Sequence, residues 1–123
     1  MKTNKQKIIL FGASGMVGAA VLSECLNDQS VREVLSVGRR ECGMSHPKLK
    51  ELLIPDLFAL EASSNKLKGF DACFFTIGVS AAGLSETEYA KYNHDLPLKV
   101  AKLLLKLNKH INKGARPTYY TLQ

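Results

Sequence analysis

Three glycines, Gly12, Gly15 and Gly18, constrain this chain more than any other feature. They follow an apolar run, Ile8-Ile9-Leu10-Phe11, and lead into a helical pattern that starts near Met16. A near-continuous apolar run before a glycine turn predicts a strand buried on both faces, here Lys7–Phe11. The helix is expected over Met16–Asn27, with Val17, Ala20, Val21 and Cys25 as its stripe. Each glycine has a separate physical reason. Gly12 permits a tight turn, Gly15 permits close approach of a phosphate, and Gly18 lets helix and sheet pack. The loop Gly12-Ala13-Ser14-Gly15-Met16-Val17-Gly18 then offers free amides, the Ser14 hydroxyl and a positive dipole end to a pyrophosphate. The alternative is a glycine-lined turn in an α/β protein that binds no nucleotide.

Further strands and helices alternate along the chain, the signature of a parallel sheet covered by helices. Strands are expected at Val34–Val37, Glu51–Ile54 and Ala72–Thr76, with Asp28–Val31 as a connecting turn. A helix is expected over Leu57–Lys66. Ser85-Glu86-Thr87-Glu88 is a capping box that starts another, running to about His94. Pro97 either kinks one long helix or lies in the first turn of a second one capped by Asp95. Tyr119–Leu122 is the candidate for a short fifth strand. The expected fold is a three-layer, Rossmann-type, doubly wound α/β sandwich with strand order 3-2-1-4-5 and an incomplete second half. The 123 residues suffice for one such domain.

The second expected strand ends Val37-Gly38-Arg39-Arg40. NAD enzymes commonly carry an acid there for the ribose hydroxyls. A carboxylate would repel a 2′-phosphate, whereas an arginine can fork onto it. Arg39 and Arg40 therefore point to NADP in preference to NAD, with a solvated basic turn as the other reading.

The segments KIILFGASGMVGAAVL, EVLSVGRR and GFDACFFTIGVSAAG, in that order, resemble the atypical and extended short-chain dehydrogenase/reductases, the NAD(P)-dependent epimerase/dehydratase group. The resemblance covers roughly residues 7–107. It implies an oxidoreductase-like function and places Asp56 near the adenine amino group, with Leu57 walling the ring. Asp56 is equally read as a helix N-cap. Thr76, Ile77, Gly78 and Val79, with Ser80, would pass the middle and nicotinamide half of the cofactor. The family works through Tyr-x-x-x-Lys, and no tyrosine here has a lysine four residues on: Tyr89 meets Asn93, Tyr92 meets Leu96 and Tyr119 meets Gln123. A C-terminal truncation or alteration is the expectation, which leaves binding without an evident catalytic residue. The alternative function is a dinucleotide-sensing regulatory module. Tyr89, Tyr92, Asn93 and His94 are read first as helix-surface and packing residues.

Charge is uneven. The net charge is +6, yet residues 1–95 hold 11 basic and 11 acidic side chains. The whole excess lies in Lys99, Lys102, Lys106, Lys109, Lys113 and Arg116. The lysines recur at helical spacing opposite leucines and read as a solvated face rather than a nucleic-acid patch. No apolar run approaches the roughly 20 residues a bilayer needs. Cys25, Cys42 and Cys73, without a CxxC pair, fit reduced thiols in a cytoplasmic protein. The histidines show no metal-ligand spacing. An exposed sheet edge or helix face is a candidate route to a homo-oligomer.

Overall fold

A computed structural model describes residues 5–77, 85–108 and 118–121. Its elements are β1 (Gln6–Phe11), α1 (Met16–Asn27), β2 (Val31–Gly38), β3 (Leu49–Leu53), a 3-10 segment (Leu57–Lys66) and β4 (Ala72–Phe75). There follow α2 (Glu86–Ala90), a π-turn (Lys91–Asp95), α3 (Leu96–Asn108) and β5 (Thr118–Thr121). All strand pairs are parallel, in the order β3-β2-β1-β4-β5. This is the expected Rossmann sheet, centred on β1.

Side chains alternate across a strand, so β1 feeds two cores. Ile8 and Leu10 face α1, where they meet Leu22, Cys25, Leu26 and Val34. Ile9 and Phe11 face the opposite layer, with Val37, Phe75, Leu60, Leu96 and Val100. Phe11 and Phe75 are fully buried, with ring centroids 5.5 Å apart. Each side chain of this size contributes about 1.5–3 kcal/mol by leaving water.

Several expected elements differ from those observed. The second strand begins at Val31, where a turn was expected, because Val31 pairs with Gln6 and extends the ladder. The third strand is shifted to Leu49–Leu53, since Leu49 pairs with Val34 while Ile54 already lies past the last strand pair. The fifth strand is Thr118–Thr121. The buried stripe of α1 is Gly18, Leu22, Cys25 and Leu26, rather than Val17, Ala20, Val21 and Cys25. Gly18 must face the sheet turn, and the residues at helical spacing from it follow it inward.

The Leu57–Lys66 segment is 3-10, with non-helical backbone at Ala59 and Ser63. Its Ser-Ser-Asn stretch competes for backbone bonds, and the Ser64 hydroxyl donates to the Glu61 carbonyl at 2.7 Å. The helix after the capping box is not broken at Pro97. Pro97 has no N–H to offer the Asn93 carbonyl, and the preceding turn widens instead. There the Leu96 N–H donates to the Lys91 carbonyl, five residues back. Asp95 therefore lies inside the π-turn and caps nothing. The lysine stripe is not wholly solvated either. Lys99 Nζ donates to the Phe58 carbonyl at 2.5 Å and pairs with Glu61 at 3.4 Å. Lys109, Lys113 and Arg116 lie outside the described residues.

Candidate functional site

At the C-terminal ends of β1, β2 and β4, the strands and the elements that follow them enclose a cleft of about 690 Å³. Ligands of open α/β sheets bind at this place, where the strand order reverses. Gly12, Ala13, Ser14 and Gly15 form one side. Arg39 and Arg40 stand at the end of β2, and Asp56 and Leu57 follow β3. Thr76 and Ile77 come from the end of β4.

The turn out of β1 is set by its glycines. Gly12 has φ +92°, and a Cβ there would lie 2.4 Å from Thr76 Oγ1. The Thr76 hydroxyl donates to the Phe11 carbonyl at 2.6 Å, and its N–H donates to the same oxygen at 3.0 Å. Thr76 is thus locked against the turn. A Cβ at Gly18 would fall 1.8 Å from the Gly12 carbonyl oxygen. Gly15 is different. A Cβ there would meet only the Gly12 carbonyl oxygen, at an ordinary 3.5 Å. Packing among the described residues therefore gives no reason for a glycine at position 15, which borders the cleft. Gly15 is also the N-cap of α1, and no side chain caps that helix. The positive end of α1 is left available to an anion. These features fit a dinucleotide phosphate.

Arg39 and Arg40 are exposed, and neither is paired with a carboxylate among the described residues. No acid stands at the end of β2. Asp56 serves as the N-cap of the 3-10 segment, accepting from the Phe58 N–H at 2.9 Å, and it also lines the cleft. Both readings of Asp56 remain compatible with its position. Met16 and Val17 are 90% and 43% exposed, and neither is among the residues that line the cleft. Gly18 is buried beneath the turn. Gly78 and Val79 lie outside the described residues.

Sequence reasoning missed part of the lining. Ser36 and Val37 of β2, Gly38, Pro55, Phe58 and Leu96 all border the cleft, as does Tyr92, which was read first as a packing residue. Phe58 and Tyr92 meet edge to face, with centroids 5.9 Å apart, and Lys91 Nζ lies 4.8 Å from the Phe58 ring centroid. They come from elements more than thirty residues apart in the chain, so no local pattern joins them. Pro97, which disturbs the helical pattern after Tyr92, was the nearest local signal.

Burial pushes the Cys73 and Cys25 thiols up, with Asp28 and Glu24 adding to the effect at Cys25. Neither thiol is poised for chemistry. No group of His, Cys, Asp and Glu among the described residues could hold a metal ion. No helix among them is long and apolar enough to cross a membrane.

No protein-family model matches the sequence. Leucinostatins biosynthesis cluster protein T of Purpureocillium lilacinum is 32% identical over 109 residues, which are 85% of this chain and 40% of that protein. The putative carbonyl reductase Sniffer of Caenorhabditis elegans superimposes with a TM-score of 0.77 at 14% identity, covering 100% of this chain and 64% of that one. A short-chain dehydrogenase from Leptospira borgpetersenii, solved with bound NAD+, gives 0.64 at 15% identity, over 86% of this chain and 47% of that one. The chain thus spans about half the length of the proteins it matches. Sheet order, glycine turn and these likenesses agree that this is a Rossmann protein with the fold of the short-chain dehydrogenase/reductases.

Proposed function

We propose that the cleft binds NADP, and that the chain is the dinucleotide-binding part of an oxidoreductase of the short-chain type. The open space over Gly15 carries the dinucleotide reading, because no contact among the described residues accounts for that glycine. A pyrophosphate would lie against Gly15 and the start of α1, with the Ser14 hydroxyl as a further donor. Arg39 and Arg40 support the choice of NADP. A guanidinium with no carboxylate partner among the described residues suits a 2′-phosphate, and the absence of an acid at the end of β2 removes the usual partner of the ribose hydroxyls. Asp56 and Leu57 would meet the adenine. Thr76, Ile77, Gly78 and Val79 would carry the nicotinamide half. The cofactor supplies hydride chemistry when bound.

Binding rather than turnover is the function we assign to these 123 residues, since none of their tyrosines has the lysine partner of Tyr-x-x-x-Lys. That observation also favours the second reading, a dinucleotide-sensing module. Calorimetric titration separates the cofactors: NADPH binds more tightly than NADH, and Arg39→Asp reverses the order. Equal affinities, unmoved by that substitution, would remove the NADP assignment. NADPH oxidation over a panel of carbonyl compounds separates the two roles. Turnover at ordinary reductase rates would overturn the assignment of binding alone.

A further inference from the structure

We infer that Glu51 is a positioning residue for the 2′-phosphate of the dinucleotide, acting through the backbone that carries Arg39 and Arg40; this rests on the NADP reading above. The arginine loop leaves β2 at Gly38 and turns at Gly43, which has φ +79°. Its two ends are both tied to β3 and its exit. At one end the Ile54 N–H donates to the Gly38 carbonyl at 2.9 Å. At the other the Cys42 N–H donates to Glu51 Oε2 at 3.1 Å. Arg39, Arg40 and Glu41 are the residues between these two pins.

The pins differ in origin. The first is backbone to backbone, and most residues would supply it. The second depends on one side chain. Glu51 is exposed on the edge strand β3, so the core does not need it. Its carboxylate is engaged by a backbone amide and by neither guanidinium. The loop is therefore held without neutralising the charges that would meet a phosphate. Bidentate recognition has strict geometry, and a guanidinium whose backbone is already in place loses less freedom in meeting it. A loop released from Glu51 must be ordered on binding, and that cost falls on the phosphate contact.

The test is calorimetry of NADPH and NADH on the full chain and on Glu51→Ala and Glu51→Gln. The net contribution of an ordinary solvent-exposed hydrogen bond corresponds to about a five- to tenfold change in affinity. Glu51→Ala is expected to weaken NADPH by that factor while changing NADH by less than about twofold. Glu51→Gln keeps an acceptor and stays near wild type. If the wild type prefers NADPH and Glu51→Ala leaves the NADPH/NADH ratio unchanged, the role of Glu51 is overturned and the NADP reading stands. Equal weakening of both cofactors likewise makes Glu51 a general structural residue and overturns the inference. A wild type that binds NADPH and NADH equally overturns the NADP reading, and this inference with it.

Discussion

The carbonyl oxygen of Gly12 occupies the place where any side chain at Gly18 would have to begin, 1.8 Å from the ideal Cβ position. The turn out of β1 and the first turn of α1 are in backbone contact, and the phosphate cradle is built on that contact. Gly18→Ala must push α1 off the sheet. It is expected to destabilise the fold by more than about 3 kcal/mol, in the range of severe overpacking. Gly15→Ala has room among the described residues and is expected to leave the melting temperature nearly unchanged. It lowers NADPH affinity by about tenfold or more, equivalent to roughly 1.4 kcal/mol. Loss of stability in Gly15→Ala without loss of binding would show that the cradle has been misread.

A second prediction concerns Asn108, which is 2% exposed at the end of α3. Its Oδ1 accepts from the Gly69 and Phe70 amides at 2.8 and 3.0 Å. Its Nδ2 donates to the Leu67 and Leu104 carbonyls at 3.2 and 2.9 Å. One amide group therefore satisfies both the helix end and the entry to β4. Asn108→Ala leaves these groups buried and unpaired, at a cost of about 2–4 kcal/mol in denaturant unfolding. Asn108→Asp is expected to lie between, because it retains the two acceptor contacts. A change below about 0.5 kcal/mol for the alanine would mean that water replaces the side chain.

The thiols separate by exposure. Burial raises the Cys73 and Cys25 thiols, and desolvation also raises the partly exposed Cys42, whose Sγ lies 3.9 Å from the Met44 carbonyl. Native-state alkylation by iodoacetamide is expected at Cys42 alone, at a rate that rises with pH as thiolate forms. Peptide mapping checks it. Comparable labelling of Cys73 before unfolding would contradict the packing of β4.

Asp28, after α1, accepts from the Ser30 hydroxyl at 2.7 Å and from the Ser30 N–H at 2.8 Å. These bonds, the hydroxyl's first, hold the carboxyl below its ordinary value. A depressed folded pKa gives stability that is present above the unfolded value and lost as pH falls through the folded one. The melting-temperature gap between wild type and Asp28→Asn is therefore expected to narrow as pH falls from about 6 to about 3, across the usual carboxylate range. A gap independent of pH would show that the charge is irrelevant.

Much of this molecule is legible from local pattern. The apolar run of β1, the tight turn at Gly12, the close packing at Gly18 and the Ser85 capping box are contiguous signals, and each forms as read. The Ser85 hydroxyl accepts from the Glu88 N–H at 3.1 Å, and Glu88 returns the bond to the Ser85 N–H at 3.3 Å. Strand order followed from alternating strands and helices, because right-handed crossovers leave few alternatives. Other features were legible only in part. Pro97 marked a disturbance in the helix, but the choice between kink, new cap and widened turn depends on how the whole helix lies against β4 and the 3-10 segment.

The sequence by itself determined the strand–glycine–helix unit, the parallel sheet and the pair of arginines after β2. These are set by neighbours in the chain, through periodicity and backbone sterics. Tertiary structure alone decided which face of α1 is buried, that Met16 and Val17 are exposed, and that Phe58, Tyr92 and Leu96 border the cleft. It also decided that Glu51 reaches the Cys42 amide. Most of those contacts join residues far apart in sequence, and even the nine-residue span from Cys42 to Glu51 closes only once the sheet has brought the strand ends together.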